Sequence, residues 1–291
     1  RAQVRVRGVG FRERHRREIA DATRLELEVL KVAAYSLSMI DVLRGMDFQT
    51  RHLLMALQVG DREHIARALL LQAIHHATAS DLRQAYRYVE RAIEVTADPN
   101  DPLTRAMVPG VRGACAYLTG HLDEAVDLCE QAIDMFRHAP GNSWESSSTQ
   151  LFQMFALRFV GDHNVLRAKY DRYKQDASER GDRYLESTLR RVCVSTFLAE
   201  NDARGAVREL VRATWVPPAG TFHVQHFHEL VAWCEIGLYR GVLDERAQLA
   251  DRFPRLEGSM ILRVETVRTQ YNYLRGRLAL AVRAIMTTRE N

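Results

Sequence analysis

Lysine is nearly missing from this chain. Lys31, Lys169 and Lys174 are the only three, so almost all of the 41 basic residues are arginine. With Asp and Glu numbering 37, the net charge is only +4. A polyanion-binding surface needs an excess that is not neutralised locally, so composition argues against nucleic acid as the partner. No apolar run approaches the ~18 residues of a membrane-crossing helix, and no membrane contact is expected. The four cysteines, Cys115, Cys129, Cys193 and Cys234, have no metal-ligand spacing and sit in apolar stretches. They read as small buried hydrophobes in a reducing, cytoplasmic setting. No alternating run of Val, Ile or Thr suggests a sheet. The opening residues carry no signal-peptide pattern, and a first residue of Arg rather than Met is read as a fragment with sequence upstream.

Catalytic signatures are missing too. Gly8-Val9-Gly10 puts Glu13 where a phosphate loop needs its third glycine, and no strand-like run precedes it. Asp47-Phe48 is followed by Gln49 rather than glycine, and there is no His-Arg-Asp loop, nucleophile elbow or paired carboxylates in an apolar setting. The chain alone is expected to be no enzyme and to need no cofactor.

What is present is helical periodicity. In the stretch Arg112–Phe136, Leu122, Ala125, Val126, Cys129, Ala132, Ile133 and Phe136 form one apolar stripe, with Asp123, Glu124, Asp127, Glu130 and Asp134 opposite. Thr119-Gly120 separates it from an apolar segment, 114–118. Small residues at 125 and 132 predict close approach of a neighbouring helix. Such a helix–turn–helix unit cannot bury its face alone. The spacing recurs at Ala85, Val89 and Ala92, and at Ala206, Leu210 and Ala213. A looser copy has Leu166, Tyr170 and Tyr173 after Gly161. This resembles the second helix of a tetratricopeptide repeat (TPR), in units of about forty residues rather than the standard ~34. The expected fold is all-α: a TPR-like α-α superhelix, a solenoid of antiparallel helix pairs over residues 21–291. Residues 1–20 read as a basic linker or frayed end.

Along the chain, Gly45 is expected to end the first long helix, which starts at Asp21, and Gly60 the return helix. Asp61 caps the next helix, Ser80-Asp81 opens another, and Asp98-Pro99-Asn100-Asp101-Pro102 is a break with Asp101 as cap. Asn142 with Glu145 reads as a capping box after Ala139-Pro140-Gly141. Gly161-Asp162 and Gly181-Asp182 are turns, 184–199 and 203–214 a helix pair, and Trp215–Gly220 the longest loop. The acidic face at 123–134 is expected to pair with Arg-rich helices such as 83–91. A helix over 222–238, a turn at Arg240-Gly241, a short helix to Phe253-Pro254 and a long one over 261–285, kinked at Gly276, complete the chain.

His223, His226 and His228 form the densest cluster of possible metal ligands. His223 and His226 share a helical face at i, i+3, but His228 lies opposite and no Asp, Glu or Cys completes a known spacing. A polar cluster at a helix start is the reading that spacing favours, and no metal site is assigned. His75-His76 are adjacent and cannot hold one ion from one face.

Three stretches, 40–61 (IDVLRGMDFQTRHLLMALQVGD), 66–80 (ARALLLQAIHHATAS) and 222–241 (FHVQHFHELVAWCEIGLYRG), resemble the C-terminal region of large bacterial eukaryotic-like serine/threonine protein kinases. Arg44-Gly45-Met46-Asp47-Phe48-Gln49-Thr50-Arg51-His52 is the more specific motif. The resemblance implies a TPR-like arm following a catalytic domain, often through an ATPase-like module. It implies no kinase residue here. Its expected role is to bind a protein or peptide segment, or the upstream kinase and ATPase domains, in a concave groove. The Arg content suggests an acidic or phosphorylated segment. Arg51, His52, His223 and Gln225, in the resembling stretches, are the groove candidates. The alternative is the sensor arm of a signal-transduction ATPase or transcription regulator.

Overall fold

The computed structural model describes residues 2–38, 41–96, 101–139, 141–213, 222–242 and 252–289. Among these the regular elements are all helices, with no strand. Trp215–Gly220, Asp98-Pro99-Asn100 and Pro140 lie outside the described residues. Two compact units divide the chain, Arg1–Thr149 and Gln150–Asn291.

The first unit holds α1 (Ala2–Arg7), α2 (Asp21–Ser38), α3 (Val42–Val59), α4 (Arg62–Ala77), α5 (Leu82–Val95), α6 (Pro102–Leu118) and α7 (Leu122–Phe136). The unit boundary falls inside α8 (Ser143–Val160). In the second are α9 (His163–Arg180), α10 (Arg183–Val192), α11 (Val194–Ala199), α12 (Ala203–Val211), α13 (Val224–Arg240), α14 (Arg252–Glu257) and α15 (Glu265–Arg289). Consecutive helices pack as neighbours: α2 on α3, α4 on α5, α6 on α7, α11 on α12. Contacts also skip one helix, since α4 meets α6 directly.

The helix starts follow a period. Asp41, Asp61, Asp81 and Asp101 stand twenty residues apart, and each carboxylate accepts the N–H three residues on, at 2.8–3.1 Å. Asp162, Asp182 and Asp202 repeat this at the same spacing, at 2.7–3.0 Å. Each such bond satisfies one N–H that the first helical turn leaves without an intrahelical acceptor. The preceding residue is left-handed at Gly60, Ser80, Gly161, Gly181 and Asn201, which reverses the chain in two residues. Two helices per forty residues therefore account for the recurrence of the alanine stripes.

From α4 to α7 burial alternates from helix to helix, whereas α2 buries only Leu27 and Ala34. In the first unit α5 buries one stripe, Ala85, Val89, Ala92 and Val95, while α4 and α6 are buried on most sides. The α7 stripe seats Ala125, Cys129 and Ala132 against α6. A Cβ at Gly113 would lie 2.6 Å from Cys129 Sγ and 3.1 Å from the Cys129 amide nitrogen, so the helices meet almost backbone to backbone. In the second unit α9 buries only Leu166, Tyr170, Tyr173 and Ala177, whereas α13 is again buried on most sides.

Several expectations need correction. Residues 1–20 are not a bare linker: Val4 and Ile19 are buried, the Arg14 N–H donates to Gly60 O at 3.2 Å, and Glu13 pairs with Arg62 at 3.2 Å. Gly45 ends no helix. It lies in the first turn of α3, where a Cβ would fall 2.6 Å from the Ser38 backbone, so it permits the tight α2–α3 crossing. The 184–199 helix breaks at Cys193, and α15 runs through Gly276 without interruption. Pro254 lies inside α14, whose first turn tolerates its missing N–H. The Asn142 amide reaches back to Phe136 O at 2.8 Å and to Ala139 O, closing the end of α7.

Candidate functional site

The four groove candidates fall in two places, one in each unit. Arg51 and His52 are adjacent on α3 and so face different ways. Arg51 is exposed, its side chain 64% accessible, pairs with Asp47 at 2.9 Å and lies over the Phe48 ring. His52 is 1% exposed and faces the interior. Its Nε2 lies 3.1 Å from His64 Nδ1, and His64 Nε2 lies 3.4 Å from Glu28. Burial, with the charges of His64, Lys31 and Arg67, lowers the His52 pKa to about 3. His64 is lowered as well, chiefly by burial, against the opposing pull of Asp61 and Glu28.

His223 and Gln225 open α13, and both are buried. His223 is the cap: its Nδ1 accepts from the Gln225 N–H at 3.0 Å, while its own N–H donates to His226 Nδ1 at 2.9 Å. That is a capping box built from two histidines, the polar helix start the spacing predicted. Burial lowers the His223 pKa to about 4, helped by His226 and Arg191. His228 points elsewhere, stacks on Phe155 at 5.1 Å between centroids, and is held down to about 3 by burial and then Arg158. Among the described residues no group of three His, Cys, Asp or Glu is arranged to hold a metal ion.

Gln225 joins two helices. Its carbonyl accepts from Arg191 Nη1 at 3.1 Å and its amide donates to Thr188, both on α10. Arg191 is 4% exposed, donates also to Ser187 O at 3.4 Å, and has Glu229 at 3.9 Å. Glu229 in turn accepts from Arg252 at 3.0 Å. His52, His223 and Gln225 are thus interior connectors, and of the four only Arg51 offers its head group to a ligand. Sequence reasoning missed Arg191, His64 and Glu209. Their one signal is a polar residue at a stripe position.

Several arginines are compensated on their own helices. Arg44–Asp41, Arg67–Glu63, Arg91–Glu94, Arg137–Asp134, Arg167–Asp171 and Arg180–Asp176 are all three or four residues apart. Such pairs contribute roughly 0.3–0.5 kcal/mol each. Between α5 and α7 the Tyr86 hydroxyl donates to Glu124 on the acidic face at 3.1 Å. Burial pushes the Cys115, Cys129 and Cys193 thiols up to about 12, so none is a ready nucleophile.

The described residues define an all-helical protein in two units, with no helix among them long and apolar enough to cross a membrane. A scan against protein-family models finds none that matches the chain, and a search of curated proteins finds no match either.

Proposed function

We propose that this chain is a non-catalytic, TPR-like interaction and regulatory region of a bacterial serine/threonine protein kinase, built as a superhelix of helix pairs. The observation that carries the array is the twenty-residue period of Asp-capped helices, with burial alternating between one face and most sides. Each pair leaves an apolar face that only the next pair can cover, the physical basis of a repeat stack. Assignment to a kinase rests on the three resembling stretches alone. A protein segment, acidic or phosphorylated, is the ligand, with Arg51 the exposed candidate to hold it through charge-assisted hydrogen bonds.

Two experiments test this reading. Sequence read upstream of Arg1 in the parent gene must contain a kinase catalytic loop; a DNA-binding helix-turn-helix there would favour the regulator alternative. Partners captured on the purified chain are then titrated against wild type and Arg51→Ala at two salt concentrations. One charged hydrogen bond contributes ~1.5–3 kcal/mol, so affinity should fall roughly 10- to 150-fold. Affinity indifferent to both mutation and salt rejects the basic contact. The chain itself should transfer no phosphate from ATP to a generic substrate.

A further inference from the structure

The seam between α2, α3 and α4 contains a chain of three titratable groups, Glu28, His64 and His52, on three different helices. Hydrogen-bond direction in it follows from chemistry. A carboxylate only accepts, so His64 Nε2, 3.4 Å from Glu28, carries the proton. A neutral His64 then has a bare Nδ1, which accepts from His52 Nε2–H across 3.1 Å. A neutral His52 is left with a bare Nδ1, buried and without a hydrogen-bond partner. One turn earlier on the same face of α3, Gln49 donates its amide to Ala68 O at 2.5 Å, and its buried Oε1 also lacks a donor. Two orphan acceptors thus lie on neighbouring positions of one helix face.

We propose that Glu28, His64 and His52 are a one-proton relay that reverses its hydrogen-bond direction when the surroundings turn acidic. A solvent proton adds to His52 Nδ1, and the His52 Nε2 proton passes along the hydrogen bond to His64 Nδ1. His64 becomes an imidazolium against the Glu28 carboxylate, while His52 stays neutral as its other tautomer. One proton enters, one positive charge appears, and it rests between Asp61 and Glu28, which favour it. The new His52 Nδ1–H is a donor one turn from the unpartnered Gln49 Oε1, on the same face of α3. A second proton would place two imidazolium rings in contact and is excluded by their repulsion.

The surrounding charges set the threshold. Lys31 on α2 and Arg67 on α4 oppose the added charge, while Glu28 on α2 and Asp61 and Glu63 on α4 favour it. Tyr35 on α2 is held protonated by burial and adds no charge. Both imidazoles are neutral at neutral pH because burial disfavours the cation, so the reversal belongs to mildly to strongly acidic conditions.

The test is ring-nitrogen NMR of the ¹⁵N-histidine-labelled full chain, followed from pH 7.5 downward in wild type and Glu28→Gln. Glu28 is half exposed, so this variant leaves the core intact. The expected result at pH 7.5 is the Nε2–H tautomer at both rings. On acidification His64 gains a second proton and His52 changes to Nδ1–H at one shared midpoint. Glu28→Gln lowers that midpoint by about one pH unit, a tenfold loss of proton affinity. The proposal is overturned if His52 is already Nδ1–H at pH 7.5, or if the rings titrate at separate midpoints. An unmoved midpoint in Glu28→Gln, or unfolding before any tautomer change at His52, overturns it equally.

Discussion

Helices α7 and α9 occupy equivalent places in the repeat yet bury opposite kinds of stripe. Small residues, Ala125, Cys129 and Ala132, line α7, and its partner α6 answers with Gly113. Tyr170 and Tyr173 stand in the corresponding stripe of α9. A small stripe gains its stability from close backbone approach and brings no polar atom inside. A tyrosine stripe buries more apolar area but carries hydroxyls that need partners. Tyr173 donates to Gln153 at 2.7 Å and Tyr170 to Glu209. Glu209 is itself buried, and Arg190, with Lys174 at 3.7 Å and Arg212 at 3.6 Å, balances its charge. The larger side chains therefore entail a polar network that the smaller ones do not.

The two stripes should break in opposite ways. Tyr170→Ala opens a cavity and leaves Glu209 with one donor fewer, so it should cost about 3–5 kcal/mol in a denaturant titration. Ala125→Leu adds volume where there is none and should cost ~1–3 kcal/mol. If Tyr170→Ala is the milder of the two, the α9 network carries less than its burial implies.

Acid probes the buried imidazoles that both units contain. His228 and His223 in the second unit are neutral when folded, with pKa values near 3 and 4, against about 6.5 unfolded. The unfolded chain binds these protons first, so their stability is fully present above pH ~6.5 and is lost as pH falls toward the folded values. Replacing His228 by Phe keeps the stack on Phe155 and removes one such proton. The variant's acid limb should be flatter by up to about 1.4 kcal/mol per pH unit below 6.5. An unchanged slope would place a charged His228 in the folded protein.

The smallest effect has the opposite sign. Ser80, at φ 58°, occupies the left-handed position that glycine fills before Asp61, Asp162 and Asp182. Ser80→Gly should raise stability by roughly 0.5–1 kcal/mol, seen as a higher denaturation midpoint at unchanged slope. A loss would show that the unfolded-state entropy of glycine outweighs the relief.

How much could be read beforehand follows the same division. The α5 and α7 stripes were plain because alanine spacing has one use in a helix, and Asp61, Asp81, Asp101, Asp162 and Asp182 sit where turn chemistry puts them. The full period escaped because His121 and Asn142 interrupt the aspartates. Gly45 misled because glycine marks both helix ends and close helix crossings, and only the partner helix distinguishes them. For the candidate residues, sequence could not tell a polar residue facing solvent from one joining two helices. Gln225 is interior, and its partner Arg191 lies 34 positions away in the chain.

Residue-resolved hydrogen exchange under native conditions tests the alternating burial most directly. Amides on the open sides of α5, α7 and α9 should exchange through local fluctuation, whereas those of α4, α6 and α13 should need a larger opening of their unit. Protection that rises and falls with helix number is the predicted result. Uniform protection across α4–α7, or slower exchange in α5 and α7 than in α4 and α6, would contradict the repeat.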